Sequence, residues 1–355
     1  MPDRLRAFLR SGASLAAALA LGAVFSALAG ANPASAYLAL LDGAFGNLNS
    51  LAVTLQKTGP LIFTGLSVAF AFRAGLLNIG AEGQLYMGAL GAVLGGISVP
   101  HLPAFLHLPL CLLLGGAAGA AYGGVVGWCK AQRGVSEIIS TIMLNFLAIF
   151  FVSFLVQGPL AEPPGYLHQT AAIEPTAVLP AILRGTSLSA GILVAVGAAL
   201  ALRVILWRTP LGFLVRAVGS NPVAARFAGM NVGGATVAAM AVSGGMAGLA
   251  GAVEILGEQH RLLDFFSPGY GFDGIAVAFL GRSDPLGVIG AALFFAALRT
   301  GANQMQRVSG MPVALVQLLQ ALIILFVLAG SAPGGWARRR SRRAPTAVAP
   351  APSTA

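Results

Sequence analysis

The stretch HLPLCLLLGGAAGAAYGGVVGW, residues 107–128, contains no Asp, Glu, Lys or Arg. At 1.5 Å per helical residue it is long enough to cross a hydrocarbon layer of about 30 Å. Gly115, Gly119, Gly123 and Gly127 recur at every fourth position, which puts all four on one helix face. Such a small-residue stripe lets a second helix approach closely inside a membrane. Gly244 and Gly248 repeat the device in a later apolar segment. The pattern is that of a compact bundle of membrane helices.

Composition agrees. Of 355 residues, 57% are hydrophobic and 9% charged, against about 25% charged in a soluble domain. With a mean hydropathy of +0.84, too little polar sequence remains to cover a soluble fold. A soluble enzyme, a disordered chain and a disulfide-stapled secreted domain are excluded. Ten apolar segments can be counted, at about 12–30, 51–72, 81–99, 107–128, 138–157, 188–207, 233–256, 271–281, 286–303 and 312–330. The eighth is too short to cross alone, which implies a broken or half-buried helix shielded by its neighbours. The expected fold is an all-α membrane protein of about ten transmembrane helices, some of them broken. The longest polar connection is 158–187.

The net charge of +10 comes from 21 Lys and Arg against 11 Asp and Glu. With the N-terminus inside, sixteen of the 21 fall on the cytosolic side, and Lys57, Arg184, Arg261, Arg299 and Arg307 fall in the outer half. This positive-inside bias predicts that both termini are cytosolic. Trp128, Trp207 and Trp336 each lie within two residues of a Lys or Arg at an expected cytosolic helix end, where indole rings favour the interface. Arg338, Arg339, Arg340, Arg342 and Arg343 form the one dense basic run, in an Ala/Pro-rich tail suited to anionic lipid headgroups. The other basic residues are spread along loop ends, so nucleic acid is not an expected partner. Arg4, Arg6 and Arg10, an apolar run and Ala34-Ser35-Ala36 imitate a signal peptide, but the run is long enough for an uncleaved anchor, which is the expected reading. Cys111 and Cys129 would lie about 27 Å apart on one helix and cannot bridge each other.

Several chemistries are missing. Neither Lys57 nor Lys130 stands in a phosphate-binding loop, whose glycines and lysine together hold phosphates. No zinc-protease motif surrounds any of the four histidines, and no nucleophile–base arrangement is visible. The chain is therefore not expected to be an enzyme.

Two stretches carry the functional signal. The first is RTPLGFLVRAVGSNPVAARFAG, residues 208–229, on the expected cytosolic side. Asn221 before Pro222 is a helix N-cap with proline at the first helical position, and Gly229 suits the stop. Leu211 to Val218 reads as a preceding short helix ended by Gly219. A solvated loop has little use for Ala224, Ala225, Phe227 and Ala228 together, so the pair is expected to dock on a partner, with Arg208, Arg216 and Arg226 at its edges. The second stretch is FRAGLLNIGAEGQLYMGA, residues 72–89. There Gly75, Gly80 and Gly83 break the helix while Asn78, Glu82 and Gln84 bring polar groups to the membrane boundary. Glu82 is either a functional group or a partner of Arg73 or cap of its own helix. Gly80-Ala81-Glu82-Gly83 is echoed by Gly271-Phe272-Asp273-Gly274 at the eighth segment. This suggests inverted repeats of segments 2–5 and 7–10 with a pathway between them.

At these residues the chain resembles the permease subunits of binding-protein-dependent ABC importers, in the nucleoside and simple-sugar branch of the branched-chain amino acid type family. The resemblance covers about 50–330 and rests on residues 65–89, 208–230 and 269–287. It implies a transmembrane permease domain over 1–335, with 208–230 as a cytosolic coupling loop, and a basic cytosolic tail over 336–355. Gly212, Arg216, Gly219, Asn221, Pro222, Ala224, Ala225 and Gly229 would then belong to a segment seated on a separate cytosolic ATPase subunit. That subunit would bind the ATP and Mg, leaving this chain without a cofactor of its own. A second permease subunit, sister or identical, and an extracytoplasmic substrate-binding protein are implied, in a bacterial inner membrane. Asn78, Glu82, Gln84 and Asp273 are the candidate pathway groups. The resemblance implies a nucleoside as cargo first and a simple sugar next, and a lining with few fixed charges suits such a neutral solute. The rival reading is an ion-coupled secondary transporter, which would need paired carboxylates deep in the spans; Glu254 and Asp273 are its best candidates.

Overall fold

A computed structural model describes residues 16–17, 19–28 and 30–331. Arg4, Arg6 and Arg10, the 336–355 tail with its arginines, and Trp336 lie outside the described residues. The described residues are helical, with only two isolated β-bridges. We number the helices α1 (Leu19–Leu28), α2 (Pro33–Phe45), α3 (Leu48–Arg73), α4 (Ala81–Ser98), α5 (Ala104–Arg133), α6 (Glu137–Gln157) and α7 (Gly191–Arg208). They continue with α8 (Pro210–Ser220), α9 (Pro222–Phe227), α10 (Val232–Glu254), α11 (Tyr270–Leu280), α12 (Pro285–Ser309) and α13 (Val313–Ser331). A π-helical turn, Ile255–Gln259, extends α10.

Among the described residues, five helices are long and apolar enough to cross a membrane: α5, α6, α7, α10 with its π turn, and α12. The pair α1–α2, bent by 117°, would make a sixth. The other expected spans, among them α3 and α4, carry polar side chains such as Gln56, Lys57, Glu82 and Gln84, most of them turned inward. The eighth segment is the short helix α11, packed on α3 as its length requires. Residues 33–45, which fall between the first two counted segments, form α2, started by the same Asn-Pro device as α9: Asn32 Oδ1 accepts from Ala34 N at 2.9 Å. One sequence expectation needs correction. Gly219, read as the end of a helix, lies inside α8, which runs on to Ser220.

α3 is the axis. Every residue from Thr58 to Ala71 is buried, and the helix touches α7, α10, α11 and α12. A helix buried on all sides cannot be amphipathic, and its sequence shows no apolar stripe. α5, α6 and α7 instead turn large apolar side chains such as Leu113, Phe150 and Leu200 outward. The glycine stripe does what its spacing predicts. Gly115, Gly119, Gly123 and Gly127 are all buried against α4 and α10, where Gly244 and Gly248 answer them. A Cβ on Gly119 would stand 2.6 Å from Gly248 Cα, with no flexible side chain to yield. Gly119→Val is therefore expected to lower stability by about 1–3 kcal/mol or more through overpacking. Thermal unfolding in detergent would read this as a fall in Tm, whereas Gly197→Ala, whose Cβ meets nothing within 4 Å, should leave Tm unchanged or raised.

Candidate functional site

Between Arg73 and Ala81 the chain leaves one helix and starts another inside the bundle. Backbone groups exposed there have no water to bond, so side chains must satisfy them. Asn78, fully buried, accepts from Gly80 N at 2.9 Å through Oδ1 and donates through Nδ2 to Gln84 Oε1 at 2.7 Å and Ser243 Oγ at 2.8 Å. Ser243 in turn donates to Ser67 O at 2.7 Å. Asn145 of α6 spans the start of α4, accepting from Gly83 N at 2.8 Å and donating to Ile79 O at 2.9 Å. Sequence reading missed Asn145, Ser67 and Ser243; the one Asn of the span 138–157 was the available signal.

Glu82 neither pairs with Arg73 nor caps its own helix. Its carboxylate accepts from Gly271 N, the second residue of α11, at 2.6 Å. Glu82 itself lies in the first turn of α4, so the carboxylate sits between two helix N-termini, where the unpaired N–H groups favour negative charge. The two echoing motifs therefore touch. Gly271 has no room for a side chain: a Cβ would lie 2.7 Å from Ala81 C. Asp273, one turn along α11, pairs with Arg299 of α12 at 2.9 Å, off line for a hydrogen bond, and Arg299 also lies 5.2 Å over the Tyr270 ring. Of the four candidate pathway residues, only Asp273 lines an open cavity, of about 430 Å³; Asn78, Glu82 and Gln84 are 0–3% exposed and engaged within the protein.

One end of the bundle carries α8 and α9. Thr209 caps α8, and Asn221 Oδ1 accepts from Val223 N and Ala224 N, both at 3.0 Å. Gly229 has φ +80°, which lets the chain turn out of α9. Gly212 packs against the end of α7 and Gly219 against the end of α3, where a Cβ would stand 2.8 Å from Ala74 C. This close backbone approach is why Gly219 sits within the helix. Ala225 points inward, 4% exposed, into a small core with Val218 and Ala235. Ala224, Pro222 and Arg226 face outward, as do Val223 at 62% and Phe227 at 90% exposure. Arg216 stacks over the Trp207 ring at 4.5 Å, and Arg73 lies over the same ring at 5.5 Å. Arg73 Nε also donates to Ser283 O at 3.0 Å, in the turn between α11 and α12. One indole thus joins the ends of α3, α7 and α8 to that turn.

The opposite end is covered by residues 158–190. Glu174 N donates to Gly96 O and Ile173 N to His260 O, lacing this loop over the ends of α4 and the π turn.

Comparison with known proteins agrees with this architecture. A family model described as the permease component of the branched-chain amino acid transport system matches residues 50–328. A guanosine ABC transporter permease protein of Bacillus subtilis is 40% identical over 313 residues, 87% of this chain and 89% of that protein. A glucose ABC transporter permease protein of Haloferax volcanii is 39% identical over 322 residues, 88% and 84% of the two chains. A nucleoside ABC transporter permease protein of Lactococcus lactis is 36% identical over 316 residues, 86% of each. No solved structure matches. A multi-pass bundle with an interrupted central helix and a helix pair at one end, matched over most of its length by these relatives, belongs to the branched-chain amino acid transport system permease family, in its nucleoside and sugar branch.

Proposed function

We propose that the chain is the membrane subunit of an ABC importer that moves a neutral solute, a nucleoside first and a simple sugar next, driven by a separate cytosolic ATPase. The observation that carries this reading is the α8–α9 pair: two short capped helices end on an exposed apolar face that the bundle itself does not use. The names of the similar permeases, for guanosine, nucleosides and glucose, support the cargo class. In this reading a second permease subunit and an extracytoplasmic substrate-binding protein complete the transporter. The ATPase holds the ATP and Mg, and the basic tail meets anionic lipid. Ion coupling is the weaker reading: of its two candidates, Asp273 is paired with Arg299 and Glu254 accepts from Gln259 Nε2 at 3.1 Å.

The same reading has about ten spans in a bacterial inner membrane, both termini cytosolic, with segments 2–5 and 7–10 as inverted repeats. The contact between the 80–83 and 271–274 motifs supports a pseudo-twofold relation. Ser220 and Tyr166, exposed at opposite ends of the bundle, provide the test. With Cys111 and Cys129 replaced, Ser220→Cys should react with a membrane-impermeant maleimide only from the cytosolic side and Tyr166→Cys only from outside. Labelling of both from one side would overturn the topology.

The docking face in this reading is Val223, Ala224 and Phe227, started by Asn221 and Pro222. Gly212, Gly219 and Ala225 hold the pair to the bundle, Arg216 is committed to Trp207, and Gly229 ends the segment. Ala225→Asp would break the small core and test folding rather than docking. Phe227→Asp places a charge where the partner would desolvate it, at a cost of about 3 kcal/mol or more, roughly a 100-fold weaker association. The expected result is loss of co-purifying ATPase with normal membrane insertion; unchanged co-purification would remove α9 from the interface. Uptake of labelled guanosine should fall when the gene is deleted and be competed by uridine. Loss of glucose uptake with guanosine uptake intact would make sugar the cargo.

A further inference from the structure

The cavity beside Asp273 is walled by α3, α11, α12 and α13 and lies toward the end of the bundle opposite α8–α9. Its polar wall is made of side-chain amides. Asn303 and Gln306 are three apart on α12, and Gln317 and Gln320 are three apart on α13, so each pair shares a helix face. Among the described residues, none of these four amides bonds to any other protein group, whereas Asn78, Gln84, Asn145 and Gln157 in the same bundle all do. Asn303 and Gln317 are exposed and Gln306 and Gln320 half-buried, so their hydrogen-bonding groups are open to whatever enters the cavity. Apolar side chains, Ala302, Val316, Ala321 and Ile324, lie among the amides on the same two helices.

Three charged side chains line the cavity, Lys57, Arg299 and Asp273, and the last two are paired with each other. The floor is Tyr270 and Asp273 at the start of α11, against which Glu82 rests, so the cavity ends on the junction of the two helix N-termini.

We propose that this cavity is the solute's entry site. The four amides hydrogen-bond the hydroxyls and ring edges of a neutral solute, and the apolar side chains between them take the face of an aromatic base, as a nucleoside would present. About 430 Å³ lies within the range of small-ligand sites. This inference rests on the importer reading above and deepens it, moving solute contact from Asn78 and Gln84 to Asn303, Gln306, Gln317 and Gln320.

The test uses the whole transporter in cells, with Asn303→Ala, Gln317→Leu and Gln320→Leu made singly and as the 303/320 pair. Guanosine uptake should drop at least tenfold in the pair, and the rates of guanosine, uridine and glucose relative to one another should change, while the amount of assembled complex stays the same. In addition, Gln320→Cys in a background without Cys111 and Cys129 should react with a soluble maleimide, and excess guanosine should slow that reaction. The protection measurement decides the matter if the alanine and leucine variants fail to assemble. A wild-type transporter that moves none of the three solutes sinks the importer reading. A wild-type transporter that moves guanosine, with every variant keeping its rate and selectivity within twofold and no guanosine protection at position 320, sinks only the entry site.

Discussion

A buried carboxylate between two helix N-termini organises this protein. α4 and α11 both begin inside the bundle, and a helix start leaves N–H groups that lipid cannot satisfy. Glu82 lies in the first turn of one helix and takes the Gly271 N–H of the other. Asn78 and Asn145 then take the Gly80 and Gly83 N–H groups, so the break before α4 has its hydrogen bonds supplied from three directions. Gly271 permits the contact because any side chain there would collide with the backbone at Ala81–Glu82.

This accounting separates polar groups that hold the structure from those left free for work. Asn78, Gln84, Ser67 and Ser243 form a closed network in the middle of the bundle. Free capacity is found at the two ends: the amides of α12 and α13 on one side, the outward face of α9 on the other. α3 connects them. Lys57, near its start, lines the cavity, and Arg73, its last residue, lies over Trp207 beside Arg216 of α8. A displacement of α8 therefore bears directly on the end of α3 and, through Ser283, on the turn that ends α11. α11 is also one of the two helices that meet at the Glu82 junction.

Much was legible along the chain because it depends on local periodicity or local backbone chemistry. The uncharged runs identify membrane helices, and the four-residue glycine period identifies the α5 face that meets α10. The Asn221-Pro222 start and the Gly229 stop of α9 follow from capping rules that involve only neighbours. The same rule applied to Asn32-Pro33 would have found α2. The helix break at 74–80 was visible from its glycines, as was the shortness of the eighth segment, although not what either packs against.

What the tertiary structure decided concerns partners far apart in sequence. Glu82 meets Gly271 and Asn78 meets Ser243 across 189 and 165 residues, and no local pattern announces either pair. Gly219 resembled a helix terminator because glycine commonly ends helices; here it serves the approach of the Arg73 backbone, so α8 continues past it. Ala225 and Phe227 look equally suited to a docking face in a list of apolar residues, but two positions along a helix turn them about 200° apart, so one is buried and the other exposed. Sequence alone determined most of the helical segments, α2 excepted, the break at 74–80 and that a helix pair stands apart from the spans. Which polar groups are consumed and which remain free depended on packing, because satisfaction of a buried hydrogen bond is a property of the pair and not of the residue.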